Sequence, residues 1–436
     1  VRLIKADSPD MNPQIFLSRE EDHLYSVDHD PASSRFLIVS NWKALNFRLL
    51  ETNLNDSSDK NKWKELIPHR EQVLLQSVIP FPDHLIIMER ENGLRKLKIL
   101  HKESKAVKEI NFNDPTYTAY LASNPEYYVD RFYFGYSSMR TPDSLFSVVL
   151  SNGRKRLLKQ AEVKGVFSSS DYKVEREFIT ARDGTQVPVS IVYKKNKFKK
   201  NENPIFLYGY GSYGNSIDAG FSSSRLSLLD RGFIFAIAHV RGGQELGRSW
   251  YEEGKIFNKL NTFYDFIDVT KGLVNKGYGN KDRIYAGGGS AGGLLMGAIV
   301  NMEPDLYKGI ISNVPFVDVI TTMSDPSIPL TTGEYSEWGN PDIKEEFEYI
   351  LQYSPYDNIS EQEYPSILVT AGLWDSQVQY YEPAKYVAKL RDYNKGKNPI
   401  LMKVNMTAGH SGVSGRFESL KELAMEYAFL LRLDSN

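Results

Sequence analysis

The pattern of predicted secondary structure changes once along this 436-residue chain, near residue 166, and that change limits the folds that the chain can adopt. Before it, segments rich in β-branched and aromatic residues are separated by turn signals such as Asp-Pro and Asn-Gly, with no helical period. After it, strand-like segments alternate with stretches whose apolar residues recur at helical spacing. The pattern predicts an antiparallel all-β domain over 1–165, either a sandwich or propeller blades, and a mostly parallel, doubly wound α/β domain over 166–436.

The predicted elements follow from these two rhythms. We predict strands of the first domain at 23–29, 35–42, 47–54, 73–79, 84–90, 94–100, 131–136 and 145–150. We predict strands of the second domain at 178–181, 187–193, 205–208, 233–238, 283–286, 309–314, 366–370 and 400–404, with helices at 261–276, 292–302, 379–392 and 420–433.

Composition excludes several classes of function. The net charge of −2 argues against nucleic acid as the main partner, and no apolar run reaches the length of a membrane span. The chain contains no cysteine, which excludes disulfides and thiolate chemistry and fits a reducing, cytoplasmic location. No two of the seven histidines stand at a metal-ligand spacing, so we expect neither a zinc site nor any other cofactor.

A Gly-x-Ser-x-Gly motif at 288–292 places Ser290 between a predicted strand and a predicted helix. Such a strand-to-helix turn is where α/β-hydrolases carry their nucleophile, and flanking glycines avoid the clashes that side chains would make there. The helix N-terminus favours the negative charge that develops during acyl transfer. A glycine-rich turn without chemistry is the alternative; a phosphate-binding loop is disfavoured because no Gly-Lys-Ser/Thr follows.

The general base is expected after the nucleophile, because α/β-hydrolases order their triad as serine, acid, histidine. His410 is the only histidine that follows Ser290, and it lies in a loop directly after the predicted strand 400–404. His239 precedes the nucleophile at the end of another strand, and we interpret it as structural. His410 is therefore the candidate base.

The residue that orients the imidazole is expected to be Asp375, which follows the predicted strand 366–370. A carboxylate there would hold the imidazole in the correct tautomer and stabilise its cation. Asp318 and Asp325 are alternatives after an earlier strand, and each could instead cap a helix or a turn.

Long runs of the chain resemble the oligopeptidase B branch of the prolyl oligopeptidase family. The similar runs are 136–146, 208–214, 239–243, 289–340, 369–385 and 408–417. The resemblance implies a serine peptidase that cuts short peptides after arginine or lysine. It implies that Ser290, Asp375 and His410 form the triad, and that the Tyr210 hydroxyl and the Ala291 backbone N–H bind the oxyanion.

The resemblance also implies a pocket for the basic side chain that precedes the cut. Glu334 matches the first of the family's paired carboxylates there, but the second position is Ser336. Glu337 could swing in as a replacement, although we expect it to be solvated. Phe316 matches the aromatic residue that packs against the basic side chain, a plausible cation–π contact.

A second acidic pair of the family contacts the preceding substrate residue. Asp218 matches one member, and Gly220 stands in place of the other. One carboxylate in each subsite still balances one guanidinium. We therefore expect a preference for basic residues, weaker than a paired site would give, and weakest for a basic pair.

In the resembling family, a seven-bladed propeller covers the active site and excludes folded proteins. We interpret 1–165 as the later blades only, which would leave strand edges open. We expect a longer or nicked polypeptide, in which a missing N-terminal portion completes the propeller, or a partner that covers the edge.

Two other functions remain open from the sequence. The Gly-x-Ser-x-Gly turn and the triad would equally serve a lipase, an esterase or an acyl-peptide hydrolase, because the fold does not fix the substrate. A non-catalytic interaction protein that docks through its β domain is the alternative of another class. The leading prediction is an endopeptidase that acts on short basic peptides without metal or cofactor.

Overall fold

The computed structural model describes residues 1–415 and 417–435, and Arg416, in the similar run 408–417, lies outside the described residues. Its contacts divide the chain into one unit of Val1–Lys164 with Glu245–Ser249 and a second of Gly165–Gln244 with Trp250–Asn436. The sequence rhythm did not predict that Glu245–Ser249 groups with the first unit, because those five residues lie inside the α/β region of the chain.

The first unit consists of antiparallel sheets. Its strands are β1 (Arg2–Leu3), β2 (Gln14–Ile15), β3 (Tyr25–Asp30), β4 (Arg35–Ser40), β5 (Arg48–Thr52), β6 (Lys64–Ile67), β7 (Val73–Pro80), β8 (His84–Glu91), β9 (Leu94–His101), β10 (Val107–Glu109), β11 (Thr118–Leu121), β12 (Arg131–Ser137), β13 (Ser144–Val149) and β14 (Lys155–Gln160). β1 pairs with β2, and the other strands form three four-stranded sheets, β3 to β6, β7 to β10 and β11 to β14. Each is a meander of consecutive strands, which is the architecture of a propeller blade and not of a sandwich.

The middle sheet of this unit is buried on both faces, and its sequence shows why. Along β8, Leu85 and Ile87 pack in a cluster with residues of β4 and β5. Ile86, which lies between them, packs in a different cluster with Phe132 and Phe134 of β12. Side chains alternate across a strand, so an unbroken apolar run is what a strand between two neighbouring blades requires.

The second unit is an α/β layer structure. Its strands are β15 (Tyr172–Thr180), β16 (Gln186–Lys194), β17 (Ile205–Tyr208), β18 (Ile234–Ala238), β19 (Ile284–Gly289), β20 (Gly309–Asn313), β21 (Ser366–Gly372) and β22 (Ile400–Asn405). Its helices are α1 (Leu226–Leu229), α2 (Arg248–Glu252, which begins in the first unit), α3 (Leu260–Asn275), α4 (Ala291–Met302), α5 (Val319–Met323), α6 (Tyr335–Trp338), α7 (Lys344–Leu351), α8 (Tyr381–Tyr393) and α9 (Glu418–Asp434).

One eight-stranded sheet runs through this unit in the order β15-β16-β18-β17-β19-β20-β21-β22. β16 pairs antiparallel with β15 and β18, and every other pairing is parallel. The predicted doubly wound, mostly parallel sheet is therefore confirmed. In open α/β sheets, ligands bind beyond the carboxyl ends of the parallel strands, which here are followed by Gly209, His239, Ser290, Val314, Leu373 and Met406.

In the described part of the chain, no helix is both long enough and apolar enough to cross a membrane.

Candidate active site

Ser290 occupies a tight turn between β19 and α4. Its backbone has φ 58° and ψ −119°, a conformation that L-residues rarely adopt and that structures keep at functional sites. The Ser290 N–H donates to the Asn313 carbonyl at 2.8 Å, and the Ser290 carbonyl accepts from Gly293 N–H at 2.8 Å. The turn is thus fixed from β20 on one side and from the first turn of α4 on the other.

The glycines of the motif are required by close backbone packing. A Cβ atom on Gly288 would overlap the Gly292 carbonyl, and a Cβ on Gly292 would lie 2.8 Å from the Gly209 carbonyl oxygen. No side chain fits at either position, as the sequence analysis predicted for this turn.

The structure brings the three separated polar side chains together. His410 Nε2 lies 3.0 Å from Ser290 Oγ, and His410 Nδ1 lies 2.7 Å from Asp375 Oδ2. A carboxylate only accepts hydrogen bonds, so Nδ1 carries the hydrogen and Nε2 faces the serine hydroxyl as an acceptor. The Asp375 side chain is 1% exposed and that of His410 15%, so these bonds lie largely out of water.

Asp375 is held in place by its own loop. Its Oδ1 accepts from the Gln377 and Val378 N–H groups, both at 2.8 Å, which leaves Oδ2 for the imidazole. The two loops are also joined through the backbone, because Trp374 N–H donates to the Ala408 carbonyl at 3.0 Å. The hydrogen bond between Asp375 and His410 therefore depends on the alignment of the two loops that follow β21 and β22.

This close approach of the two loops also requires glycine. A Cβ on Gly372 would lie 2.6 Å from the Gly409 carbonyl oxygen, directly before His410. A side chain at Gly372 would push the histidine loop away from the aspartate loop.

The alternative residues of the sequence analysis lie in other interactions. Asp318 Oδ2 pairs with Lys385 Nζ at 2.5 Å, and Asp325 Oδ1 accepts from the Ser327 N–H at 2.9 Å. His239 is buried and bonds to the hydroxyl of a serine on β16. The structure places none of these three side chains against the Ser290 hydroxyl.

Two donors lie beside the serine. Tyr210 lines the same cavity as Ser290, and burial raises the pKa of Tyr210 to about 12, so the phenol keeps its proton at neutral pH. Ala291 is the first residue of α4, and its N–H is among the four at a helix start that no carbonyl of the same helix accepts. A phenol and a backbone N–H are the kinds of donor that can stabilise charge developing on an oxygen.

A cavity of about 250 Å³ opens beside Ser290. It is smaller than the roughly 300–1,000 Å³ of pockets that enclose drug-sized ligands, so it suits a single side chain. It is lined by Tyr210, Tyr213, Ser290, Phe316, Thr322, Met323, Ile328, Leu330, Thr331, Glu334, Gln377 and Val378. Of these described lining residues, Glu334 alone carries a carboxylate.

The Glu334 carboxylate is held in a defined orientation. Its Oε2 accepts from the Tyr213 hydroxyl and from Trp338 Nε1, each at 2.8 Å. The buried ring of Phe316 packs against the Trp338 ring with centroids 5.3 Å apart. The cavity therefore combines one negative charge with an aromatic wall.

The expectation that Glu337 is solvated is wrong. Its side chain is buried, with Oε1 accepting from the Tyr213 N–H at 2.7 Å and Oε2 from the Tyr251 hydroxyl at 2.5 Å. It is committed to these bonds and does not replace the missing carboxylate at Ser336, which is exposed. Asp218 is half-buried and does not line the 250 Å³ cavity.

Sequence reasoning missed three residues that position the cavity and its neighbouring loops. They are Tyr213, Lys259 and Glu382. Glu382 is buried and accepts from the Val317 N–H at 2.6 Å, next to Phe316, and burial raises its pKa to about 7. Tyr213 lies in the similar run 208–214 and Glu382 in the run 369–385, so both could have been found there; Lys259, directly before α3, carried no signal but its charge.

Across the described residues, no cluster of three or more histidine and carboxylate side chains could hold a metal ion.

Known proteins similar to this chain share its two-part organisation. A model described as "Prolyl oligopeptidase family" matches residues 219–435, and one described as "Prolyl oligopeptidase, N-terminal beta-propeller domain" matches 1–161. Dipeptidyl aminopeptidase BI from Pseudoxanthomonas mexicana is 47% identical over 429 residues, which cover 97% of this chain and 59% of that protein.

Solved structures of oligopeptidase B are similar in both sequence and fold. The enzyme from Leishmania major is 42% identical with a TM-score of 0.92, and the match covers 97% of this chain and 60% of that one. The enzyme from Trypanosoma brucei, in a closed form with covalently bound antipain, is 39% identical with a TM-score of 0.93 over 99% and 61%. The chain thus spans about 60% of these relatives. With both parts matched, it belongs to the prolyl oligopeptidase family.

Proposed function

We propose that this chain carries the active site of a serine peptidase that cleaves short peptides after lysine or arginine. The observation that supports it most is the pairing of two features in one place. The hydrogen-bonded series Asp375–His410–Ser290 ends at the mouth of a cavity whose one carboxylate is Glu334.

The reaction follows from this hydrogen-bond arrangement. His410 Nε2 takes the Ser290 proton as Oγ attacks the peptide carbonyl, and Asp375 stabilises the imidazolium that forms. The C–N bond then breaks as His410 gives that proton to the leaving amine, which yields an acyl-enzyme on Ser290. A water molecule, deprotonated by the same imidazole, hydrolyses the ester and restores the serine.

The tetrahedral intermediate needs donors for its oxyanion. The Tyr210 phenol and the Ala291 N–H supply them in the proposed mechanism, because Tyr210 lines the same cavity as Ser290 and Ala291 follows Ser290 as the first residue of α4. Donors that are preorganised in a site largely out of water stabilise developing charge more strongly than they would in water.

Tyr210→Phe is expected to lower kcat by about 10²–10³-fold, since it removes one oxyanion donor and leaves the ring in place. KM should change little, because the phenol contributes mainly in the transition state. Steady-state kinetics on a peptide ending in an Arg-linked chromophore would measure both. A variant whose KM rises while kcat is unchanged would assign Tyr210 to substrate binding instead.

Basic specificity is proposed from the charge of the cavity. A lysine or arginine side chain entering it would meet the Glu334 carboxylate, and its stem would lie along Phe316 and the apolar wall. The half-buried Glu334 forms no ion pair with any described residue, so its charge favours a cation over an apolar side chain. With Ser336 in place of a second carboxylate, we propose that the preference is selective but not absolute.

Glu334→Gln is expected to lower kcat/KM for Arg and Lys reporters by roughly 10–100-fold, because a charge-assisted hydrogen bond contributes about 1.5–3 kcal/mol. A Phe reporter should be cleaved at an unchanged or higher rate. Glu345→Gln is the matched control, since it removes an exposed carboxylate of α7 that does not line the cavity. If both variants lowered the Arg and Phe reporters equally, Glu334 would not determine specificity.

The whole proposal is tested by a set of matched reporter peptides that end in Arg, Lys, Pro or Phe, with Ser290→Ala as the inactive control. Rapid cleavage of Arg and Lys reporters supports it. Equal rates on Arg and Phe would refute the basic preference. Cleavage of acyl esters but of no peptide would place the chain among other serine hydrolases, and the absence of fluorophosphonate labelling would favour a non-catalytic interaction protein.

Release of dipeptides is a second candidate function, favoured by the name of the 47% identical relative. An aminopeptidase requires a free substrate amine, whereas an endopeptidase tolerates a blocked one. Comparing each reporter with its N-acetylated form separates the two. Loss of cleavage on acetylation would replace the endopeptidase proposal by dipeptide release.

A further inference from the structure

We infer that the buried Lys259 is a positioning residue for the proposed oxyanion loop, Gly209–Gly214, and acts on the reaction through Tyr210. The inference rests on the proposed function, because it assigns a role to a residue that contacts neither the nucleophile nor the cavity. It concerns a buried cation that the mechanism above does not use.

Lys259 stands directly before α3, and its side chain is enclosed by protein. Its Nζ donates to the Gly211 carbonyl at 2.6 Å, to Ser212 Oγ at 2.8 Å and to the Gly254 carbonyl at 3.2 Å. The residue is 1% exposed, and burial lowers its pKa to about 8. An ammonium so far from water is tolerated only when its donors are satisfied, and two of these three acceptors lie in the oxyanion loop.

Tyr210 is thereby anchored on both sides. On one side, the Gly209 N–H donates to the Gly287 carbonyl of β19 at 3.2 Å. On the other side, the next residue, Gly211, gives its carbonyl to Lys259. The backbone on both sides of Tyr210 is therefore held: by β19, the strand that precedes Ser290, on one side and by Lys259 on the other.

Glu337 holds the far end of the same loop. It accepts from the Tyr213 N–H, and its charge partly offsets the effect of burial on the Lys259 pKa. Lys259 Nζ also lies 5.0 Å from the centroid of the Trp338 ring. The Nε1 of Trp338 donates a hydrogen bond to Glu334. The buried cation and anion therefore stabilise one loop that carries Tyr210 and contacts the specificity carboxylate through Tyr213.

Removing the ammonium would leave the Gly211 carbonyl with only the longer bond from the Thr262 hydroxyl, at 3.4 Å, and allow the loop to relax. A displacement of about 1 Å at a catalytic donor costs roughly 10²-fold in rate. Lys259→Met, which keeps the length of the side chain, is therefore expected to lower kcat by about 10–100-fold while KM changes little, because the oxyanion exists only after attack.

The deciding experiment is a double-mutant cycle in the 436-residue chain. Lys259→Met is measured with Tyr210 present and in the Tyr210→Phe variant. If Lys259 acts through the phenol, its effect falls to about twofold or less once the phenol is absent, since coupled residues are not additive. An equal loss in both backgrounds, or no loss in either, would overturn the inference. Lys271→Met on the exposed side of α3 is the matched control and should leave kcat unchanged.

If the Lys259→Met protein does not fold, two further variants test the same inference. Ser212→Ala removes one acceptor of the ammonium, and Glu337→Gln removes the buried negative charge and keeps a carbonyl for the Tyr213 N–H. Each should lower kcat less than Lys259→Met, and each effect should shrink in the Tyr210→Phe variant; persistence of either effect would overturn the inference.

The same cycle can be run on acylation by a nitrophenyl ester, which separates this inference from the proposed function. A wild-type chain that reacts with the ester but cleaves no peptide refutes the peptidase proposal and still measures the coupling. A chain that reacts with neither substrate refutes both.

Discussion

Ser290→Ala is expected to lower kcat for peptide cleavage by about 10⁶-fold, the scale seen when a serine peptidase loses its nucleophile. The substitution removes one oxygen atom and leaves the cavity, Glu334 and the backbone of α4 in place. KM should therefore stay close to the wild-type value, as far as residual activity allows it to be measured. The effect is this large because no other hydroxyl occupies the position 3.0 Å from His410 Nε2 in the described structure.

The measurement needs a labelling assay beside the kinetics. A fluorophosphonate should modify wild type once per chain and Ser290→Ala not at all, with the site located by mass spectrometry. Ser336→Ala, an exposed serine near the same cavity, is the control and should keep both labelling and activity. Retention of labelling in Ser290→Ala would assign the nucleophile to another residue.

The strand-to-helix turn that carries Ser290, the proposed nucleophile, could be predicted from sequence because its signals are local. The strand predicted at 283–286 is β19 (Ile284–Gly289), and the helix that follows begins at Ala291. An apolar run, a glycine-rich turn and a helical period stand next to one another there, so neighbouring residues fix the geometry. The prediction of His410 and Asp375 rested on the order of serine, acid and histidine along the chain and on the loops after predicted strands, and it left Asp318 and Asp325 as alternatives to Asp375.

Residues whose surroundings come from distant parts of the chain could not be predicted in this way. Glu337 lies three residues after Glu334, and that spacing gave no sign that it is buried by Tyr213 and Tyr251. Lys259 looks like any surface lysine before a helix, because the carbonyls that bury it come from Gly211 and Gly254. The tertiary fold decides the environment of these charges.

Short strands at the edges of the blades were missed for a different reason. β6 (Lys64–Ile67), β10 (Val107–Glu109) and β14 (Lys155–Gln160) each end a four-stranded sheet, and all of them contain lysine. Charged, short edge strands are a common protection against unwanted pairing, but they lack the apolar alternation by which strands are recognised. The inner strands, packed between blades, are rich in β-branched and aromatic residues and were predicted.

Asp375→Asn is expected to lower kcat by about 10⁴-fold near neutral pH, although it changes a single atom. The Asp375 Oδ1 position accepts two backbone N–H groups, from Gln377 and Val378. An asparagine must keep its one oxygen there, so its Nδ2 would point at His410 Nδ1. That amide donates, which forces Nδ1 to accept and moves the imidazole hydrogen to Nε2, where it can no longer take the Ser290 proton.

The prediction is checked by kcat on an Arg reporter together with the thermal unfolding midpoint. The midpoint should barely change, because the amide retains the loop bonds and the volume of the carboxylate. Asp318→Asn is the control, since that carboxylate pairs with Lys385 and not with the imidazole. The folded fraction of this variant should keep the wild-type kcat. If Asp318→Asn lost as much activity as Asp375→Asn, or if Asp375→Asn stayed near wild type, the orienting role would belong elsewhere. Fluorophosphonate labelling of Asp375→Asn should be slowed but not abolished, because the serine hydroxyl remains and only its activation is lost.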